Sequence, residues 1–228
     1  MFKNVIFALT LLCQVSAFAG VDISRTWDWD HPEKSEQVFI KLAEQAKQNN
    51  ETDIYLQLLT QVARAQGLQD KFDEANATLN IVQSELGETT LTAKIRYYLE
   101  RGRVFNSSKQ QDHAVPLFLI AFDLSLSNND DLAIDAAHML GIALPDSAQQ
   151  VDWDEKALKI VSQSSDPKVK SWTTPIYYNM SWSLYDGKHF AEALEAFTKY
   201  VAFLEARGEK PDQEVLETIT ELKKHLGR

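Results

Sequence analysis

The chain has 228 residues, with 33 acidic side chains against 23 basic ones and a formal net charge of −10 at pH 7. So acidic a chain repels phosphate backbones and anionic bilayers, which excludes nucleic acid as an expected partner. Its one cysteine, Cys13, cannot build an internal disulfide framework, and a chain of this length with 44% hydrophobic residues does not require one.

In chain order, residues 1–19 read as an export signal: Lys3, an apolar run from Val5 to Leu12, then Ala17-Phe18-Ala19 as an A-x-A cleavage site before Gly20. The run is shorter than the roughly 20 apolar residues that a membrane-spanning helix needs, so no membrane insertion is expected. Leu12 is bulky where lipoprotein signals place a small residue before the cysteine, which favours simple secretion. Cleavage after Ala19 leaves 209 residues, no cysteine and a net charge of −11, because Lys3 is the only charged residue removed. N-x-S/T sequons occur at Asn50, Asn76, Asn106 and Asn179, and the last two fall in expected helices where a glycan would obstruct packing. With the missing cysteines, this points to a bacterial periplasm; an extracellular location is the alternative.

No glycine-rich or proline-rich linker divides residues 20–228, and helical periodicity persists almost throughout, so one domain is expected. The segment from Trp27 to His31 leads into a helix over about 32–47, with Val38, Phe39, Leu42, Ala43 and Ala46 on one face. Asp30 and Glu33 have capping-box spacing, and Pro32 sits in the first turn. Helices follow at about 51–66, 70–86, 89–107, 111–127, 130–144, 152–163, 168–186, 189–207 and 211–226. Turn signals at Gly67, Gly87, Ser107 to Lys109, Asn128-Asn129, Pro145 and Asp166-Pro167 separate them. The last helix carries Asp212 and Glu214 in its first turn and Lys223, Lys224 and His225 in its last, as the helix dipole favours. Val215, Leu216, Ile219 and Leu222 give it one apolar face suited to a terminal cap.

A small residue and large apolar ones recur at fixed offsets. Phe190, Ala193, Phe197 and Tyr200 are echoed by Phe72, Ala75, Leu79 and Val82, by Ala114, Phe118 and Ala121, and by Ala157. First helices supply Leu59, Val62 and Ala63; Tyr98, Arg101, Gly102 and Phe105; Leu140-Gly141; and Tyr177, Met180, Ser181 and Leu184. These residues resemble the tetratricopeptide repeat family. The alanine steps, from Ala75 to Ala114, Ala157 and Ala193, are 39, 43 and 36 residues, against roughly 34 in the standard unit. The longest step contains four extra residues within Pro145 to Val151. The resemblance implies an all-α, TPR-like α-solenoid of about five antiparallel helical hairpins, wound as a right-handed superhelix with first helices lining a concave face.

In the register that the resemblance implies, the partner-binding positions on that face are Arg64, Arg96, Arg103, Asn106, His138, Tyr178, Trp182 and Tyr185. Guanidinium groups bind carboxylates bidentately and aromatic rings give contact area at low entropic cost. The functional reading is a groove for a protein or extended peptide, acidic in character. The structural alternative pairs the arginines with acids such as Glu100 and packs Trp182 and Tyr178 between repeats. The Lys/Asn clamp of some chaperone-binding members is not recognisable.

Three Trp-Asp pairs stand at 27–28, 29–30 and 153–154, each ahead of an expected helix. Capping by aspartate with an aromatic staple is favoured over metal binding by Asp28, Asp30 and His31 or by Asp152 and Asp154, since either cluster is short of ligands. The histidines are scattered, and no nucleophile, phosphate-binding loop or metal motif occurs. The expected function is therefore a non-catalytic binding scaffold without metal or cofactor. Its rivals are an enzyme or accessory domain using His138 with Asp135 or Arg103, and a structural homo-oligomer paired through terminal helices.

Overall fold

The computed structural model describes residues 23–227; the expected export signal and its cleavage site lie outside them. Every regular element among the described residues is helical. After a 3-10 turn, Ile23–Thr26, come α1 (Pro32–Gln48), α2 (Thr52–Gly67), α3 (Phe72–Glu85), α4 (Leu91–Ser107), α5 (Gln111–Ser125), α6 (Asp130–Ala143), α7 (Ser147–Gln163), α8 (Pro167–Lys170), α9 (Thr173–Asp186), α10 (Phe190–Glu205) and α11 (Gln213–His225). No described helix is long and apolar enough to cross a membrane.

Neighbouring helices pack on one another, and alternate ones also meet: α2 touches α4, α4 touches α6 and α7 touches α9. Three apolar clusters run along the chain, around Phe39, Leu56 and Leu79, then Phe118, Leu140 and Ile176, then Phe197 and Val215. The alanines that mark the sequence repeat, Ala75, Ala114, Ala157 and Ala193, are all fully buried, as close helix approach demands. At Gly102 the approach is tighter still, since a Cβ there would lie 2.5 Å from the Phe118 ring.

Four helix ends share one turn geometry. Asn50, Asp70, Lys109 and Lys188 hold φ of 59°, 59°, 62° and 63°. The N–H of the next residue reaches back over the helix end in each: Glu51 to Ala46 at 2.9 Å, Lys71 to Gln66 at 3.0 Å, Gln110 to Phe105 at 2.8 Å and His189 to Leu184 at 2.8 Å. This is the Schellman bond, which satisfies a terminal carbonyl and reverses the chain tightly. Gly208, at φ +73°, sets up the same bond after α10, from Glu209 to Leu204.

Several expectations are corrected. The Asp30–Glu33 capping box does not form: His31 is the N-cap of α1, without a side-chain bond, and Ser35 Oγ instead bonds the backbone of Asp28. α7 begins at Ser147 rather than about 152, because Asp146 accepts from the N–H of Gln149 at 2.9 Å. The extra residues of Pro145 to Val151 thus mostly lengthen a helix, and Asp152 and Asp154 lie inside it instead of capping it. The single helix expected over 168–186 is broken into α8 and α9. Pro175 lacks the N–H that an unbroken helix would need there, and it fits only within a first turn, so α9 starts at Thr173. Val38 and Leu216, one step of about 100° from their helices' buried stripes, are exposed at 44% and 43%.

Candidate functional site

Three first helices carry the same stripe. Residues at steps of four and seven fall on one face of a helix: Gln57, Gln61 and Arg64 on α2, Arg96, Glu100 and Arg103 on α4, and Asp131, Asp135 and His138 on α6. Because α4 packs between α2 and α6, the stripes interlock into a polar ladder. Arg96 Nε donates to Gln57 Oε1 at 3.2 Å. Arg64 lies 3.8 Å from Glu100, Arg103 donates to Glu100 at 2.6 Å and also to Asp135. Asp131 accepts from Lys168 Nζ at 3.0 Å and from Trp172 Nε1 at 2.8 Å.

The charges are strongly coupled. Burial disfavours ionised Asp135, but the Arg103 and Arg64 charges and the Arg103 hydrogen bond outweigh it and hold its pKa below the usual range. Burial likewise opposes the Arg103 charge, and Asp135 and Glu100 overcome it, raising the arginine's pKa. For Arg64 and Arg96 burial prevails and lowers the pKa, with repulsion from Arg103 adding to it. Burial, opposed by Asp135, pushes the His138 imidazole down to about 4, so the ring is neutral near pH 7. Asn179 Nδ2 lies 3.2 Å from its Nδ1, a contact in which the amide donates when the ring carries its proton on Nε2.

A segment that the sequence offered only as a lead-in forms one wall of the site. Trp27 and Trp29 stack with ring centroids 4.4 Å apart and planes 6° apart. The Arg64 guanidinium lies 5.0 Å from the Trp29 centroid and 5.7 Å from that of Trp27. Trp27 Nε1 donates to Gln61 at 3.1 Å, and its ring packs on Phe39. α8 and Trp172 form the opposite wall. Between them lies a cavity of about 260 Å³ with Arg64, Arg96, Asp131 and Asp135 at its base.

Of the candidate residues, Arg64, Arg96, Arg103 and His138 come together in the ladder, and of these Arg64 and Arg96 line the cavity. Asn106 stands at the end of α4, its carbonyl serving the Lys109 turn, and does not line this cavity. Tyr178, Trp182 and Tyr185 are a correction, for they pack in the C-terminal apolar cluster with residues of α10 and α11. Trp182 lies 5.0 Å from Phe197 and Tyr178 5.2 Å from Tyr200, and the buried Trp182 Nε1 has no acceptor among the described residues. α9 turns Asn179, not Trp182, toward the ladder. Sequence reasoning passed over Gln61, Asp131 and Trp172; the shared four-and-seven spacing was the available signal for the first two. Among the described residues no group of three or more His, Cys, Asp or Glu side chains gathers as a metal site.

No family model matches the sequence, and no curated protein matches it. The crystal structure of BtubC (BKLC) from P. vanneervenii resembles it in fold, with a TM-score of 0.66 over 90% of this chain and 85% of that one, at 12% sequence identity. At that identity the likeness is one of helical architecture alone.

Proposed function

We propose that this protein is a non-catalytic, periplasmic binding scaffold, a right-handed TPR-like α-solenoid whose first helices present a concave face to a protein or extended peptide of acidic character. The observation that carries this reading is the imbalance of the ladder. Glu100, Asp131 and Asp135 face Arg64, Arg96, Arg103 and Lys168, and Arg96 has no ion-pair partner among the described residues. In a chain of net charge −10, a half-buried arginine without an ion pair suits a partner that brings a carboxylate. The recurring stripe on α2, α4 and α6 and the shared helical fold support the solenoid part of the proposal. No turnover is assigned around His138, because Asn179 occupies its Nδ1 and Arg103 occupies Asp135, leaving no base and orienter for a nucleophile.

Fluorescence anisotropy with labelled hexaglutamate and hexaglutamine at two salt concentrations tests the proposal. The acidic peptide should bind more tightly, weaken with salt, and lose about tenfold in affinity on Arg64→Ala or Arg96→Ala. Equal binding of both peptides, or no effect of either variant, would move the binding surface elsewhere.

A further inference from the structure

The concave face is not open along its length. The Trp27–Trp29 stack covers α2 and the α8–Trp172 segment stands across from it, so the face narrows to a pocket of about 260 Å³, the scale of a small-molecule site more than of a through-running peptide. Its polar groups are unequally committed. Trp27 and Trp172 have spent their indole N–H groups on Gln61 and Asp131, so these walls offer apolar ring surface. Asp131 and Asp135 are already satisfied by Lys168, Trp172 and Arg103. Arg96, by contrast, uses Nε on Gln57 and keeps its terminal nitrogens without a partner among the described residues. Arg64, beside the two indoles, has among the described residues one ion pair, at 3.8 Å with Glu100.

We infer that this pocket is a small-molecule site for a compact flat acid, its carboxylate received by Arg96 and Arg64 and its ring lying against Trp29 and Trp172. The carboxylate supplies the ion-pair partner that Arg96 lacks among the described residues, in the planar geometry that guanidinium groups match. The ring adds stacking on a tryptophan that is 55% exposed in the free protein. The inference rests on the concave face being the ligand face, but not on a peptide being the ligand.

Isothermal titration of the intact protein with indole-3-carboxylate tests it, with indole-3-carboxamide, acetate and inorganic phosphate as comparators. The acid should bind saturably and at least about tenfold more tightly than the amide, the value expected for one hydrogen-bonded charge. Acetate, lacking the ring, and phosphate, lacking both ring and planarity, should bind as weakly as the amide. Arg96→Gln should lose about tenfold, Arg96→Lys less than that, and Trp29→Ala, which removes an exposed ring and leaves the core alone, should also weaken the acid severalfold. Acid and amide binding alike, phosphate matching the acid, or wild-type affinity in Arg96→Lys and Trp29→Ala would each overturn the assignment. Hexaglutamate anisotropy on the same samples separates the two proposals. A protein that binds the peptide but not the small acid keeps the scaffold and loses the pocket, and the reverse result does the opposite.

Discussion

Asp154 offers the sharpest test of how this fold is held together. It lies within α7, fully buried, and neither carboxyl oxygen has a hydrogen-bond partner among the described residues. It faces Gly141 of α6 so closely that a Cβ there would come 2.8 Å from its Oδ1. Burial alone pushes its pKa up to about 8. Below about pH 4 the carboxyl is protonated whether the chain is folded or not, so no penalty exists. As pH rises, the unfolded chain releases its proton while the folded chain retains it, and stability falls by about 1.4 kcal/mol per pH unit until about pH 8. At pH 7 the accumulated cost is about 4 kcal/mol. Asp154→Asn keeps the shape and cannot ionise, so the variant should gain on the wild type by that slope from pH 5 to pH 8. Urea midpoints of both proteins at pH 5, 6, 7 and 8 measure this, and the difference cancels every other titrating group. A gap between the two proteins that stays constant over the range would refute the reasoning, because Asp154 would then be solvated or paired.

Gly102→Ala should destabilise by about 1–3 kcal/mol in thermal melts, because its Cβ would meet the Phe118 ring at 2.5 Å, whereas Gly87→Ala, with nothing within 4 Å, should change little. Lys109→Gly and Lys188→Gly should each stabilise by about 1 kcal/mol, since both hold a left-handed conformation that costs an L-residue about that much; unchanged or lower midpoints would show the turns relaxed. Arg103→Ala should cost about 3–5 kcal/mol by leaving Asp135 and Glu100 buried without their cation, while Arg96→Ala, which breaks no ion pair among the described residues, should cost far less in the same urea titrations.

Helix positions were legible because apolar periodicity and breaking residues agree along most of this chain; α1 to α6, α10 and α11 begin and end within two residues of their expected bounds. The misses have local causes. Pro175 breaks the helix before α9, but a proline near a helix start also reads as ordinary, and the Asp166-Pro167 signal drew the start five residues too early. Asp146 caps α7, yet Asp152 and Asp154 offered equally good caps further on. Composition cannot rank three aspartates when what decides is that Asp154 packs on Gly141. Gly67 and the Ser107 to Lys109 stretch marked two of the reversals, but the left-handed residues themselves, Asn50, Asp70, Lys109 and Lys188, went unread because none is a glycine.

The site divided along a different line. Arg64, Arg96, Arg103 and His138 come together because the four-and-seven spacing carries over from α2 to α4 to α6, and α4 touches both of the others. At α9 that transfer fails. The helix beyond it is α11, a terminal element whose Val215 and Leu222 need an apolar bed, and Tyr178, Trp182 and Tyr185 supply it. Aromatic side chains suit an open groove and a buried cap equally well, so their identity alone cannot tell the two apart. The Trp27–Trp29 wall was harder still. Trp27 and Trp29 lie more than thirty positions before Gln61 and Arg64 in sequence, and only the folded chain brings an indole N–H within 3.1 Å of Gln61 and a guanidinium under both rings. The pocket therefore depends on a contact with no sequence period behind it. The repeating stripe of α2, α4 and α6 supplies the arginines, and the non-repeating Trp27–Trp29 and α8–Trp172 segments set the shape of the pocket above them.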